Sequence, residues 1–225
     1  MGELAGSGPR SAWPASDERR HADVAVEEWA FSFWTPDGDV GGVVWLRHHP
    51  PARTAWYWSA LVRAGHPLLH VTEWAAPLPS AGLALRAESL WADHVCESPF
   101  EQWTVANEAY AVALDDPADA LGAAFGGIAP MAFDLEWYAA GPPEACPGGY
   151  AQRGEVHGVI ELGDGALELD GQPAARSHRW GAELPVLPPP PAWAHRGLRA
   201  PVRFPDGALL DLVLTPDGWR SRAPM

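Results

Sequence analysis

Trp29-Ala-Phe-Ser-Phe-Trp34, then Thr35-Pro-Asp-Gly38, then Asp39-Val-Gly-Gly-Val-Val-Trp-Leu-Arg-His-His49 is the stretch from which the fold is read. Trp29, Phe31 and Phe33 share one face of an extended segment, because successive strand side chains point to opposite sides. Thr35–Gly38 is a turn: proline presets φ and glycine tolerates positive φ. Val43–His49 predicts the partner strand. Working outward, Pro50-Pro51 stops that strand, Thr54–Arg63 predicts a third, Ala64-Gly-His-Pro67 turns the chain, and a fourth follows from Leu68 to Trp74. A turn every ten to twelve residues or so marks an antiparallel meander.

The pattern continues through Leu83–His94 and Phe100–Leu114. It breaks at Asp115-Asp-Pro-Ala-Asp-Ala-Leu121, where aspartate before proline and alanines predicts one short helix near residues 116–125, ended by Gly126-Gly127. Met131, Phe133, Leu135 and Trp137 then alternate with Asp134 and Glu136, which puts the two acids on the opposite face, read as a solvated outer face with a polar patch in a lumen as the alternative. Gly141–Gly149, rich in Pro and Gly, reads as a linker. Tyr150–Leu162 and Ala166–Asp170 flank a Gly-Asp-Gly turn, Pro188–Pro191 reads as a stiff connector, and the hairpin over Ala208–Leu214 and Trp219 is framed by Pro-Asp-Gly turns. The expected organisation is a disordered arm (1–22), an N-terminal β domain (23–140), a linker (141–149) and a shortened C-terminal β half (150–225). Together these predict an all-β, antiparallel barrel or sandwich.

Composition removes whole classes of function. The chain has 225 residues, and its fifteen basic residues, all arginine, stand against 29 acidic ones for a net charge of −14. The absence of lysine excludes a Schiff base, a pyridoxal phosphate anchor and a phosphate-loop lysine. The acidic balance argues against a nucleic-acid backbone or an anionic membrane surface as partner. No apolar run reaches the ~18 residues of a membrane span, and Met1–Arg20 lacks a hydrophobic signal core, so a cytoplasmic location is expected. Cys96 and Cys146 are expected as free thiols. Thirteen tryptophans exceed the needs of one modest core, so some of the indole is expected to line an apolar pocket.

There is no nucleophile elbow, dinucleotide fingerprint or His-Glu-x-x-His. His48 and His49 point to opposite faces. His94 and Cys96 share a face but lack two further ligands, so neither a metal nor a cofactor is expected. The informative stretches are Tyr150-Ala-Gln-Arg-Gly-Glu-Val-His-Gly and Arg176-Ser-His-Arg-Trp-Gly181. Alternation places Arg176, His178 and Trp180 in one row: a charged donor, an imidazole able to move a proton, and an indole able to stack on a ligand or stabilise a cation. Glu155 and His157 also share a face, so one could orient the other, and Tyr150 offers a hydroxyl donor.

These motifs resemble the carotenoid hydratase (hydroxyneurosporene synthase-like) superfamily over about residues 24–181. Glu97-Ser-Pro-Phe-Glu-Gln-Trp103 and Phe133-Asp-Leu-Glu-Trp137 add to the likeness. The resemblance implies paired lipocalin-like β-barrels, with the His and Trp of an Arg-Asp-His-x-Trp-Gly motif in an apolar pocket. In such hydratases an acid protonates a double bond and water captures the cation. Ser177 stands where that motif has aspartate, and the second barrel is short here. The expectation is therefore a binder of an apolar small molecule, an isoprenoid or polyketide-like lipid. Cofactor-free hydratase, isomerase or cyclase chemistry would fall to His178, Trp180 and Arg176, with Tyr150, Glu155, His157, Trp137 and Trp103 as ligand-binding residues. The alternative is a structural or protein-interaction module.

Overall fold

β1 (Val26–Trp34) and β2 (Val40–His49) pair antiparallel about the Thr35–Gly38 turn, with Trp29 opposite Leu46 and Phe31 opposite Val44. The structure is a computed structural model that describes residues 13–184 and 197–222. β3 (Thr54–Arg63) and β4 (Leu68–Pro77) extend the meander. There follow β5 (Leu85–Ala87), β6 (Leu90–Ser98), β7 (Gln102–Leu114), β8 (Gly127–Ala139), β9 (Glu144–Cys146), β10 (Gly149–Leu162) and β11 (Gly165–Gly181). The hydrogen-bonded order β4-β3-β2-β1-β11-β10-β8-β7 is closed by a short β4–β7 ladder, Leu68 opposite Leu114. β6 takes the remainder of β7, with β5 beyond it. Closure leaves the ring without a free edge along the seam it seals. The result is an all-β, antiparallel, lipocalin-like barrel.

β12 (Arg199–Arg203), β13 (Leu209–Thr215) and β14 (Gly218–Arg222) form a separate three-stranded sheet. It lies against the outer face of β2 and β3. Two cores result. Inside the barrel pack Trp29, Phe31, Phe33, Leu46, Tyr57, Trp103 and Trp137, with others. Outside, Val43, Trp45 and Trp58 meet Val202, Phe204 and Leu214, with Trp34, Trp56, Trp74 and Trp219 packed around them. Gly41 and Gly42 sit between these cores on opposite faces of β2. A Cβ on Gly42 would lie 2.2 Å from the Phe33 ring, and one on Gly41 would lie 2.9 Å from Trp219. Two missing side chains thus admit one ring on each side of the wall.

The structure revises several boundaries. Of the arm expected at 1–22, residues 1–12 lie outside the described residues, but Ala15–Glu18 forms a 3₁₀ turn whose Glu18 is buried. The helix expected near 116–125 is a 3₁₀ turn, Pro117–Leu121: Asp116 accepts from the Ala118 amide at 2.9 Å, and the turn stops at Gly122. One short turn does not reach the length at which an α-helix is favourable. The stretch 141–149 is not a boundary between halves. It contains β9, paired to β10, and β10 with β11 completes the first barrel by joining β8 to β1. Only the three-stranded sheet stands apart. The Pro188–Pro191 connector lies outside the described residues.

Candidate functional site

Alternation along β11 aims Arg176, His178 and Trp180 into the same end of the barrel. Their neighbours on β1 are Phe31, Trp29 and Glu27, and on β10 Gln152 and Tyr150 face Arg176 and His178. Residues 13–22 cross this end as a strap. Glu18, from the 3₁₀ turn, meets Arg176 in a two-pronged ion pair: Nη1 donates to Oε2 at 3.0 Å, and Nη2 donates to Oε1. Trp103 Nε1 donates to the same carboxylate at 2.9 Å. Arg176 also donates from Nε and Nη2 to Gln152 Oε1, at 3.1 and 2.6 Å, and its guanidinium lies 4.9 Å from the Trp137 ring centroid. Gln152 is itself held, donating to the Phe100 and Gly141 carbonyls at 2.9 and 2.8 Å.

A second carboxylate closes the other side of the mouth. Glu27 Oε1 accepts from His178 Nε2 at 2.9 Å and from His21 Nδ1 at 2.7 Å, and both Glu27 oxygens accept from the His21 amide at 3.1 Å. A carboxylate only accepts, so Nε2 of His178 carries the proton, and Nδ1 of the neutral ring accepts from the Tyr150 hydroxyl at 3.2 Å. Burial holds the His178 imidazole below its ordinary range, against the opposing pull of Glu27. Burial also raises the Tyr150 hydroxyl well above the tyrosine range. Trp29 stacks on His178 at 4.6 Å, and Trp180 stacks on His21 at 4.0 Å.

The ligating atoms of His21, Glu27 and His178 lie within 4.8 Å of one another, a spacing that could hold a metal ion. Three N–H groups already satisfy Glu27 there, so the cluster is complete as a hydrogen-bonded latch. His94 and Cys96 do share a side, as their spacing predicts, and they line the cavity described next. Burial and the Glu18 carboxylate push the Cys96 thiol up to about 12.

Beneath the strap lies a cavity of about 620 Å³. Its walls include Glu18 and His21 of the strap, Leu83, Trp29, His94 and Trp103. Deeper in the barrel the side chains fill the space, and the gap among Phe31, Val105, Leu135 and Trp137 is only about 20 Å³. Trp29 Nε1 is buried without a hydrogen-bond partner, as are both ring nitrogens of His48 behind Trp29. An unmet buried polar group costs about 1–3 kcal/mol. Burial lowers His94 to about 4 and His48 to about 3, so both rings are neutral at pH 7.

The structure therefore gathers His178, Trp180, Arg176, Tyr150, Trp103 and Trp137 at one end of the barrel. Glu155 and His157 are not among them. They sit on the outer surface, where His157 faces Asp170 at 3.0 Å and Glu155 at 3.6 Å. Alternation from the buried Val156 turns both of them outward. Asp134 and Glu136 are exposed, as their alternation predicts. Ser177 also turns outward, into a second cavity of about 410 Å³ between the barrel and the C-terminal sheet. The substitution relative to the hydratase motif therefore lies on the opposite side of β11 from His178.

Sequence reasoning missed Glu18, His21, Glu27, His94 and Gln152 as members of the site. Glu27 did carry a signal: it shares the face of Trp29 and Phe31, so an acid points inward. Glu18 and His21 carried none, because a polar stretch without periodicity looks the same whether loose or docked.

An all-β barrel with a strapped, cavity-bearing mouth is the class that this geometry defines. Residues 14–183 match the family described as Domain of unknown function (DUF7064), and the chain belongs to that family. The matched span begins at the strap and ends where β11 leaves the barrel. No curated protein matches the chain. Among the described residues, no helix is long and apolar enough to cross a membrane.

Proposed function

We propose that this protein binds an apolar small molecule, of the isoprenoid or polyketide-like lipid class, in the cavity beneath the strap. The observation that carries this reading is the cavity itself. Its volume of about 620 Å³ lies within the usual range for small-molecule sites, and its wall joins indole and leucine to a few buried polar groups. The resemblance to the carotenoid hydratases points to the same ligand class.

Arg176 and His178 serve in this reading as positioning residues. Their polar atoms are taken up by Glu18, Gln152, Glu27 and Tyr150, and neither side chain belongs to the cavity lining. They hold the strap that forms one wall.

The test is native mass spectrometry after incubation with an apolar extract of the source cells, for the wild type and for His178→Gln. One species retained unchanged by both proteins is the expected result. Isomers or water adducts made by the wild type alone would give His178 a catalytic proton and favour a cofactor-free hydratase or isomerase. An extract without any retained species, together with unaltered indole fluorescence, would end the binding reading in favour of an interaction module.

A further inference from the structure

We infer that the second cavity, between the barrel and the C-terminal sheet, binds an apolar carboxylate of the fatty-acid type, with its chain between the two sheets and its head on Arg47. This site stands apart from the mouth, since the linings of the two cavities share no residue. The reason for the space lies in three neighbouring strands. On their outer face Ala30 of β1 pairs with Ser177 of β11, Ser32 pairs with Ala175, and Ala151 of β10 pairs with Ser177 from the other side. Packed sheets stand about 10 Å apart, with interdigitating side chains filling the gap. Alanine and serine are too small to fill it. Leu210, Leu212 and Trp219 supply the wall from the C-terminal sheet, and about 410 Å³ stays open, within the usual range for a small-molecule site.

Charge selects the head. Arg47 is only 4% exposed and lines this cavity. Its Nε and Nη2 donate to Glu28 Oε2 at 2.9 and 2.6 Å, and Nη2 donates also to the Leu184 carbonyl at 3.1 Å. The guanidinium lies 4.6 Å from the Trp45 ring centroid. These contacts hold the group in place but leave Nη1 without a hydrogen bond among the described residues, and unlike Trp29 Nε1 that atom is not sealed from solvent. Glu28 is the one acid among the described residues of the lining, and its other oxygen stands 3.1 Å from Arg179 Nε. Arg176, the third arginine of the lining, is matched by Glu18 inside the barrel. Two arginines thus converge on one carboxylate, and the trio carries one unit of positive charge. A carboxylate head meets Nη1 with a charge-assisted hydrogen bond and neutralises that charge; an alcohol makes a weaker bond, and a cationic head is repelled.

The experiment is isothermal titration with three probes that share one chain and differ in the head: decanoate, decan-1-ol and decyltrimethylammonium. It is run on the wild type, on Arg47→Gln, in which Glu28 keeps Arg179 beside it, and on Ser177→Phe, which fills the cavity from the side of β11 away from His178. Decanoate is expected to bind the wild type about tenfold more tightly than decan-1-ol, one charged hydrogen bond's worth, with the cationic probe weakest. Arg47→Gln is expected to bring decanoate down to the level of the alcohol, and Ser177→Phe to abolish its binding. Nile red, a neutral apolar dye that probes the mouth cavity, is expected to bind all three proteins alike, which shows that the variants keep the barrel. Decanoate that fails to bind the wild type, or binds it no better than the alcohol, would overturn the inference. So would a preference for decanoate that survives in Arg47→Gln, or decanoate binding undiminished in Ser177→Phe, which would place the acid outside this cavity. Decanoate binding to a wild type that takes up no Nile red would remove the mouth reading and leave this one standing.

Discussion

At the mouth of the barrel, Trp29, Trp103 and Trp180 share their space with Glu18, Glu27, Arg176, His21, His178 and His94. On the outside, Trp34, Trp45, Trp56, Trp58, Trp74 and Trp219 pack mainly on one another, on Phe204 and on aliphatic side chains beneath the C-terminal sheet. β1 feeds both regions. Glu27 points inward to the two histidines, and its neighbour Glu28 points outward to Arg47 and Arg179, with Arg47 Nη2 at 2.6 Å. The difference shows what the indole excess is for. Six of the thirteen indoles glue a second sheet to the barrel and need only area. The few indoles at the mouth are combined with ionisable groups, and that is where stability should depend on pH and on single charges.

The largest expected contrast is with acid. His48 is lowered to about 3 and His94 to about 4, and His178 is lowered by burial; outside the mouth, His70 beside Trp58 is lowered to about 4. Each folded value lies below the unfolded value of 6.5, so between the two the unfolded chain binds more protons. Stability is therefore present above about pH 6.5 and is lost as pH falls toward about 4, by about 1.4 kcal/mol per pH unit for each such histidine. Urea midpoints from about pH 7 down to about 4 should fall steeply, and His48→Phe should flatten the curve more than a surface control such as His157→Phe. A midpoint independent of pH over that range would mean the mouth histidines are not held neutral.

Next comes the strap. Arg176→Ala leaves the Glu18 carboxylate buried without its cation and should cost about 3–5 kcal/mol in urea denaturation. Glu18→Gln combined with Arg176→Met should recover most of that loss, because a neutral pair removes the stranded charge. A loss equally large in the double variant would show that packing, not charge, holds the strap.

The smallest effect is expected outside. Trp219 is half-buried, covers Gly41 and donates to the Phe33 carbonyl at 3.0 Å. Trp219→Ala should cost about 2–3 kcal/mol, below the usual range for a fully buried tryptophan. It should leave Nile red binding unchanged, since Trp219 does not line the mouth cavity. A drop in dye binding would place the dye in the second cavity, between the barrel and the C-terminal sheet, which Trp219 does line.

The barrel strands were legible because burial on one face imposes a period of two, and Trp29, Phe31, Phe33 and Met131 to Trp137 display it. That Arg176, His178 and Trp180 share one row was legible for the same reason. Glu155 and His157 show the limit of that argument. Alternation says that two residues share a face, but not whether the face is lumen or solvent unless their neighbours are plainly apolar.

By itself, the sequence determined most of the strands in outline, the turns, the lack of lysine chemistry and the shared face of Arg176, His178 and Trp180, all of which depend on neighbours a few residues apart. Tertiary structure alone decided that β10 and β11 close the first barrel and do not begin a second. It also decided that Glu18 crosses from a polar segment to bury its charge against Arg176, 158 residues away, and that a cavity opens beneath the segment that carries it. Those outcomes depend on ring closure and on long-range pairing of charges, and a period of two along one strand carries no record of either.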